Sequence, residues 1–416
     1  MERFVINGGR KLSGSVEIES AKNSVLPMLA ASILTEEKVV IEKCPDIGDL
    51  SSMLEILAKL GVKTEFVDGN LTIDAKNIVG CEVPGVLATK LRSSIFLMGA
   101  LLSRCKKAQI SLPGGCDIGE RPIDLHLNSL KTLGATVEVY GNEVFCSADL
   151  LKGASIRLNF PSVGATENLM LAAVMAKGKT EIRNAAKEPE IVDLMCFLNS
   201  MGAKIYGAGT STILIDGVKK LRGTVYKPIP DRIETGTFLL AGLITGGEVE
   251  IKGVNVKNIS ALLHKFCDNT CKITIKNDII YIKSNGTLRA FDFSTGPYPH
   301  FPTDLQAQTT ALLSVADGTS VICENVFERR FSYVDELNLM GADIKIKGRN
   351  AIVKGVKHLY GANVFAKDLR GGAALLIASL VARGDSTVYG VQHIKRGYYN
   401  IDKKLCALGA DVKLLT

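Results

Sequence analysis

One pattern recurs six times along this 416-residue chain and limits what it can fold into. A helical stretch ends on an apolar residue, a glycine follows, and an alternating strand starts at once. The copies are MLEILAKLGVKTEF, LNSLKTLGATVEVY, LMCFLNSMGAKIYG, YVDELNLMGADIKI and IDKKLCALGADVKL, with a weaker sixth, ALLHKFCDNTCKITI. The turning residues are Gly61, Gly134, Gly202, Gly341 and Gly409, with Asn269 in the slot of the weak copy, and the steps between them run from 67 to 73 residues. A helix that turns straight into a strand commonly ends on a residue with positive φ, which glycine adopts most easily and asparagine next. The spacing predicts six structural units of roughly 70 residues.

Each unit carries a second helix: SAKNSVLPMLAASIL, KLRSSIFLMGALL, SVGATENLMLAAVMA, DRIETGTFLLAGLIT, TDLQAQTTALLSVA and KDLRGGAALLIASLVA. These are apolar nearly all round, which predicts burial inside a domain. A short strand follows each of them, so the fold class is α/β. Three units around three shared buried helices make a domain of about 200 residues, and two such domains fill the chain.

Polar residues gather where the buried helices begin: Lys22 with Asn23, Arg92, Thr166 with Glu167 and Asn168, Arg232 with Glu234, Asp304 with Gln306, and Asp368 with Arg370. A helix N-terminus offers free N–H groups and the positive end of the dipole, so it attracts anions. Capping accounts for Ser20, Thr166 and Asp304. It does not account for Arg92 and Arg370, because the dipole disfavours a cation there. Those two arginines call for an anionic partner.

Composition removes several classes. Charged residues are 22% and apolar ones 46%, a globular balance. The net charge of +7 comes without a run of five basic residues, and there is no tryptophan, so nucleic acid is not an expected partner. No apolar run approaches the roughly 20 residues of a membrane span. The N-terminus MERFVINGGRKL lacks a signal-peptide core, and the ten scattered cysteines are expected as thiols. No metal site is expected, and no cofactor: phosphate-loop and dinucleotide glycine fingerprints are both missing.

Two residues stand out chemically. Cys116 lies in LPGGCDIGERPIDLH, where glycines give a lid-like loop and Arg121 would lower a thiol's pKa. Asp304 follows two prolines in YPHFPTDLQAQ at the mouth of a buried helix, where a carboxylate either caps or takes a proton from a hydroxyl. Residue chemistry alone leaves both open.

The segments AKNSVLP, LRSSI, LPGGCDIGERPIDLHL, SVGATENLMLAA, NAAKEPEIVDL, PDRIETGTFL, FPTDLQAQ, NVFERRF, DLRGGAAL and HIKRGY resemble, in order, those of the UDP-N-acetylglucosamine enolpyruvyl transferases. The resemblance covers essentially the whole chain. It implies the two-domain inside-out α/β barrel of six βαβαββ repeats, three per domain. One domain would span 22–229 and carry the Cys116 loop; the other would join 1–21 to 230–416, with the active site in the cleft between them. The implied reaction moves the enolpyruvyl group of phosphoenolpyruvate to the 3′-hydroxyl of UDP-N-acetylglucosamine, the first committed step of peptidoglycan precursor synthesis. A cytoplasmic monomer without cofactor is the family's usual form.

Residue roles carry over position by position. Lys22, Arg121 and Arg396 resemble the groups that hold phosphoenolpyruvate, with Arg92, Arg330 and Arg370 beside them. Asn23 resembles a sugar contact. Arg121, Pro122, Ile123, Asp124 and Leu125, with Ser162, Val163 and Gly164, resemble the grip on the uridine diphosphate. Arg92 is placed with them. Thr303, Asp304, Val326 and Phe327 resemble contacts on the sugar side. Cys116 matches the loop cysteine that protonates the methylene carbon and is alkylated by fosfomycin; Asp304 matches the acceptor of the hydroxyl proton. Ser20, Asp46, Gly48 and Tyr399 depart from the usual pattern. The sister family, 5-enolpyruvylshikimate-3-phosphate synthase, shares fold and donor but lacks the cysteine loop. A non-catalytic duplicate is the other rival, opposed by the intact Lys22, Cys116, Asp304 and Arg396.

Overall fold

The computed structural model describes residues 2–114, 118–266, 271–284 and 287–416. Two positions singled out above, Cys116 and Asn269, lie outside the described residues.

The turning glycines behave as their spacing predicts. Gly61, Gly134, Gly202, Gly341 and Gly409 have φ of +87°, +94°, +99°, +92° and +89°. Each closes one helix and releases the chain into a strand. At Gly61, for example, the helix Gly48–Lys59 ends and the strand Lys63–Val67 begins.

Six four-stranded sheets result, all built on one plan. An edge strand pairs in parallel with a central strand, which pairs antiparallel with the second central strand, which pairs antiparallel with the other edge. In one sheet Thr224–Tyr226 runs parallel to Val39–Ile41, which is antiparallel to Asn70–Asp74, itself antiparallel to Lys63–Val67. In another Asn363–Phe365 runs parallel to Asp385–Tyr389, which pairs with Arg3–Asn7, which pairs with Asp411–Leu415. The strands alternate buried and exposed residues, as in Thr212–Asp216, so each sheet covers its core with one face.

The chain divides into two compact units. One comprises 2–19, 118–120 and 230–416; the other comprises 20–114 and 121–229. In the first, the helices Arg232–Ile244, Gln306–Leu313 and Leu369–Val381 pack together, and all eight residues of Gln306–Leu313 are buried. In the second, the same place is taken by Lys22–Ser32, Phe96–Cys105 and Val163–Ala173. The second helix of each repeat is therefore the buried one, and the sheets lie outside it: an inside-out barrel in each unit.

Among the described residues, no helix is long and apolar enough to cross a membrane, and the eight cysteines are free thiols.

Candidate active site

The capping expectation needs correction. Ser20, Thr166 and Asp304 do not cap helices. The caps are Ser162, whose hydroxyl accepts from Ala165 N, and the carboxylates of Asp231 and Asp368, each accepting from two backbone amides. Thr166 sits one turn inside its helix, where its Oγ1 donates to Ser162 O and accepts from Ala186 N. Asp304 lies within the short 3-10 turn Thr303–Leu305, and its side chain serves two arginines instead.

In the first unit, Arg330 Nη2 is 2.7 Å from Asp304 Oδ1, and Arg370 Nη2 is 3.1 Å from Oδ2. The two guanidiniums are 3% and 4% exposed, while Asp304 is 28% exposed. Buried cations of this kind persist only when paired. The anionic partner that Arg370 calls for is thus Asp304, 66 residues earlier. Arg330 also donates to Thr303 O and sits 5.7 Å from the Phe327 ring centroid. Buried Glu324 completes the group: its Oε1 accepts from Thr295 Oγ1 and from the amides of Val326 and Phe327, and its Oε2 accepts from Thr303 Oγ1. Thr303, Asp304, Val326, Phe327, Arg330 and Arg370 are therefore one connected cluster. Arg396, half-buried, ends the short helix Val391–Lys395, two residues before Tyr398.

A second layer fixes Arg370. Its Nη1 donates to Tyr398 Oη at 3.1 Å. The same oxygen contacts Thr237 Oγ1 at 2.9 Å and accepts from Gln308 Nε2 at 3.1 Å. Residues on all three buried helices of this unit meet at one phenol. Burial raises the Tyr398 pKa, even though Arg370 opposes the shift, so the phenol stays neutral. Glu324, Tyr398, Thr237 and Gln308 are not readable as site residues from sequence; Tyr398 falls within HIKRGY, which offered the nearest signal.

In the second unit, Lys22 opens its buried helix and bonds Asp49 at 2.7 Å, with both side chains largely buried. Asn23, half-buried, follows it. Arg92 starts the turn that leads into Phe96–Cys105. It donates to the carbonyls of Arg121 and, at 3.5 Å, Pro113. Burial first, and then the neighbouring Arg121 charge, lower the Arg92 pKa to about 10. Pro122 and Ile123 lead into the helix Asp124–Thr132, whose first turn holds Asp124 and Leu125. Ser162, Val163 and Gly164 form the start of Val163–Ala173. His126 joins the two segments: it lies against Gly164 and bonds Asn168.

Beside the Cys116 loop, Ile118 and Gly119 are held within the first unit. Ile118 O accepts from Arg329 N at 3.0 Å, and Gly119, at φ +125°, lies against Glu328 with no room for a side chain.

Comparison with known proteins gives these clusters a context. The sequence profile of EPSP synthase (3-phosphoshikimate 1-carboxyvinyltransferase) matches residues 6–405. UDP-N-acetylglucosamine 1-carboxyvinyltransferase 2 of Caldanaerobacter subterraneus subsp. tengcongensis is 52% identical over 413 residues, 99% of each chain. The structure of the enolpyruvyl transferase NikO from Streptomyces tendae superposes with a TM-score of 0.90 at 26% identity, over 100% of this chain and 99% of that one. EPSP synthase from Acinetobacter baumannii superposes with a TM-score of 0.75 at 18% identity, over 100% of both chains. The names of the profile and of the relative point to different acceptors. Half identity over full length is the more specific likeness; 18% reflects the shared fold alone.

Proposed function

Because this chain belongs to the UDP-N-acetylglucosamine 1-carboxyvinyltransferase family, we infer that it transfers the enolpyruvyl group of phosphoenolpyruvate to the 3′-hydroxyl of UDP-N-acetylglucosamine and releases phosphate, in peptidoglycan precursor synthesis. The observation that carries the reading into chemistry is the placement of Asp304. Two buried guanidiniums hold a partly exposed carboxylate in one orientation.

The proposed sequence needs an acid, a base and cations. Cys116 gives its proton to the methylene carbon of phosphoenolpyruvate, and positive charge develops on the neighbouring carbon. The sugar 3′-oxygen attacks that carbon as Asp304 accepts its proton. The Asp304 side chain is 28% exposed, so a hydroxyl can approach its carboxylate. The product is a tetrahedral ketal. Loss of phosphate and of one methyl proton restores the double bond, now in the enolpyruvyl ether. Lys22, Arg92, Arg121 and Arg396, with Arg330 and Arg370, hold the two anionic substrates in line, and positioning of this sort supplies much of the acceleration. Asn23, Thr303, Val326 and Phe327 seat the sugar. Arg121 to Leu125 and Ser162 to Gly164, with Arg92, seat the uridine diphosphate. The proposal requires the clusters of the two units to act on one pair of substrates. It also carries alkylation of Cys116 by fosfomycin, a monomeric enzyme and a cytoplasmic location.

The test is phosphate release from phosphoenolpyruvate, run in parallel with UDP-N-acetylglucosamine and with shikimate 3-phosphate. Release only with the sugar nucleotide, blocked by fosfomycin, is expected. Release with shikimate 3-phosphate would assign the acceptor of the sister enzymes, and release with neither would mark a binding protein.

A further inference from the structure

In the first unit, Glu324 is 1% exposed and gathers donors from three stretches of chain. Its Oε1 accepts from Thr295 Oγ1 at 2.8 Å and from the amides of Val326 and Phe327 at 2.8 and 3.1 Å, and its Oε2 accepts from Thr303 Oγ1 at 3.0 Å. A carboxylate only accepts, so each contact spends a proton of its partner. A hydroxyl has one proton and two lone pairs. Thr295 uses both kinds: its Oγ1 donates to Glu324 and accepts from Asn325 N at 3.0 Å. Being 2% exposed as well, it is a closed structural link. Thr303 differs. It is half-buried, and the bond to Glu324 is the one its hydroxyl makes among the described residues.

The bonding sets a polarity. With its proton turned onto Glu324, Thr303 Oγ1 meets a ligand with lone pairs only. Val326 and Phe327 are biased the same way, because their N–H groups are spent on Glu324 and what their backbone can offer a ligand is a carbonyl. The wall that Glu324 builds therefore offers acceptors and suits donors. Thr303 directly precedes Asp304, which the proposed reaction sets against the sugar 3′-hydroxyl. The two ring carbons beside that position carry a hydroxyl and the acetamido group. A hydroxyl turns to suit a donor or an acceptor, so it does not depend on a preset polarity. An amide N–H only donates, so it needs an oxygen whose own proton points away.

We propose that Glu324 is a positioning residue that sets the polarity of the sugar seat: by taking the proton of Thr303 it presents that hydroxyl oxygen to the N–H of the sugar's acetamido group. The inference rests on the function proposed above and goes beyond it, because it assigns a task to a buried carboxylate that itself touches no substrate. Glu324 acts through the direction of one hydroxyl proton, not through its own charge.

The experiment measures, by calorimetry, binding of UDP-N-acetylglucosamine and of UDP-glucose, which has a hydroxyl in place of the acetamido group, to wild type and to Glu324→Gln. Glutamine keeps an oxygen for Thr295 and the two amides and puts its NH2 on Thr303, which then accepts and turns its own proton outward. The variant is expected to lose about tenfold or more in affinity for UDP-N-acetylglucosamine, the scale of a hydrogen bond replaced by two opposed donors, and to stay within about threefold for UDP-glucose. A loop merely loosened would weaken both alike; that result, or no change for either, would overturn the proposal. Thr303→Val has no proton to turn, so adding Glu324→Gln to it should change UDP-N-acetylglucosamine binding by less than about threefold, and a larger further loss is equally contrary. Should Glu324→Gln not fold, Thr303→Ser and Thr303→Val decide. Serine keeps the hydroxyl and is expected to bind UDP-N-acetylglucosamine within about threefold of wild type, and valine about tenfold more weakly; a valine variant that binds as tightly as wild type ends the inference. Wild-type protein that binds neither sugar nucleotide would overturn the underlying function, and the inference with it.

Discussion

Asp304 and Arg370 share one ion pair across 66 residues of chain, and the arginine in it is 4% exposed. With Arg330 on the other oxygen, the carboxylate is the counter-charge of two buried cations and, in the proposed reaction, also the group that takes the hydroxyl proton. Its two duties can be separated. Asp304→Asn keeps the shape and is expected to lower turnover by about a hundredfold or more, the usual contribution of a general base. Asp304→Ala is expected to lose about 3 kcal/mol of stability in addition, because it strands both guanidiniums. Urea unfolding alongside phosphate-release kinetics checks both; an alanine variant as stable as wild type would show that the arginines have other partners.

Tyr398 is expected to act through Arg370. Tyr398→Phe removes the oxygen on which Arg370, Thr237 and Gln308 converge. A stability loss of about 1–3 kcal/mol should follow from the buried groups left unpaired. Turnover should fall with little change in the KM for UDP-N-acetylglucosamine, since the phenol points into the helix bundle. A wild-type kcat would remove Tyr398 from the site.

Gly99 has no space for a methyl group. A Cβ there would lie 2.4 Å from the backbone oxygen of Asn168 and 2.5 Å from its Oδ1. Gly99→Ala is expected to cost about 1–3 kcal/mol, as overpacking usually does. Thermal unfolding tests this; a variant as stable as wild type would show that Asn168 can give way.

Glu167 is buried with Oε1 lacking a hydrogen-bond partner, and its pKa is raised well above 4.5 by burial first and then by Glu190 and Glu188. The folded state therefore holds this proton more tightly than the unfolded chain does. Its contribution to stability is full below about pH 4.5 and is lost as pH rises toward the folded value. Glu167→Gln keeps a neutral side chain at every pH. Its melting temperature should match wild type near pH 5 and exceed it progressively toward pH 8; parallel melting curves would contradict this.

Cys116→Asp keeps an acid in the loop but removes the thiol. It is expected to retain measurable turnover and to resist fosfomycin, with mass spectrometry showing the adduct on the wild-type chain only. Loss of all turnover, or an adduct on the variant, would deny the thiol its assigned place.

The fold was legible where the chain repeats itself. Gly61, Gly134, Gly202, Gly341 and Gly409 announce their left-handed turns because one local requirement recurs at a steady interval. The site was legible in part. Arg370 stood out because a cation at a helix start is locally disfavoured, and its partner Asp304 stood out because of the prolines before it. Tyr398, Glu324 and His126 give no local sign. Thr237 and Tyr398 meet across 161 residues, and Asn168 reaches His126 across 42, so what they do depends on packing that no window of sequence displays. The capping roles went to the wrong residues for a related reason: several oxygens near each helix start could cap, and small shifts in where the turn begins decide among them.

The strand pairing also sets a timetable for synthesis. The unit holding 20–114 and 121–229 has all its strands once Thr224–Tyr226 has been made and can close against Val39–Ile41. The other unit closes later. Arg3–Asn7 pairs with Asp385–Tyr389 and with Asp411–Leu415, both made after the whole of 20–229. Until Asp385–Tyr389 and then Asp411–Leu415 are made, that strand keeps an unsatisfied edge, so it finds its place long after it is synthesised.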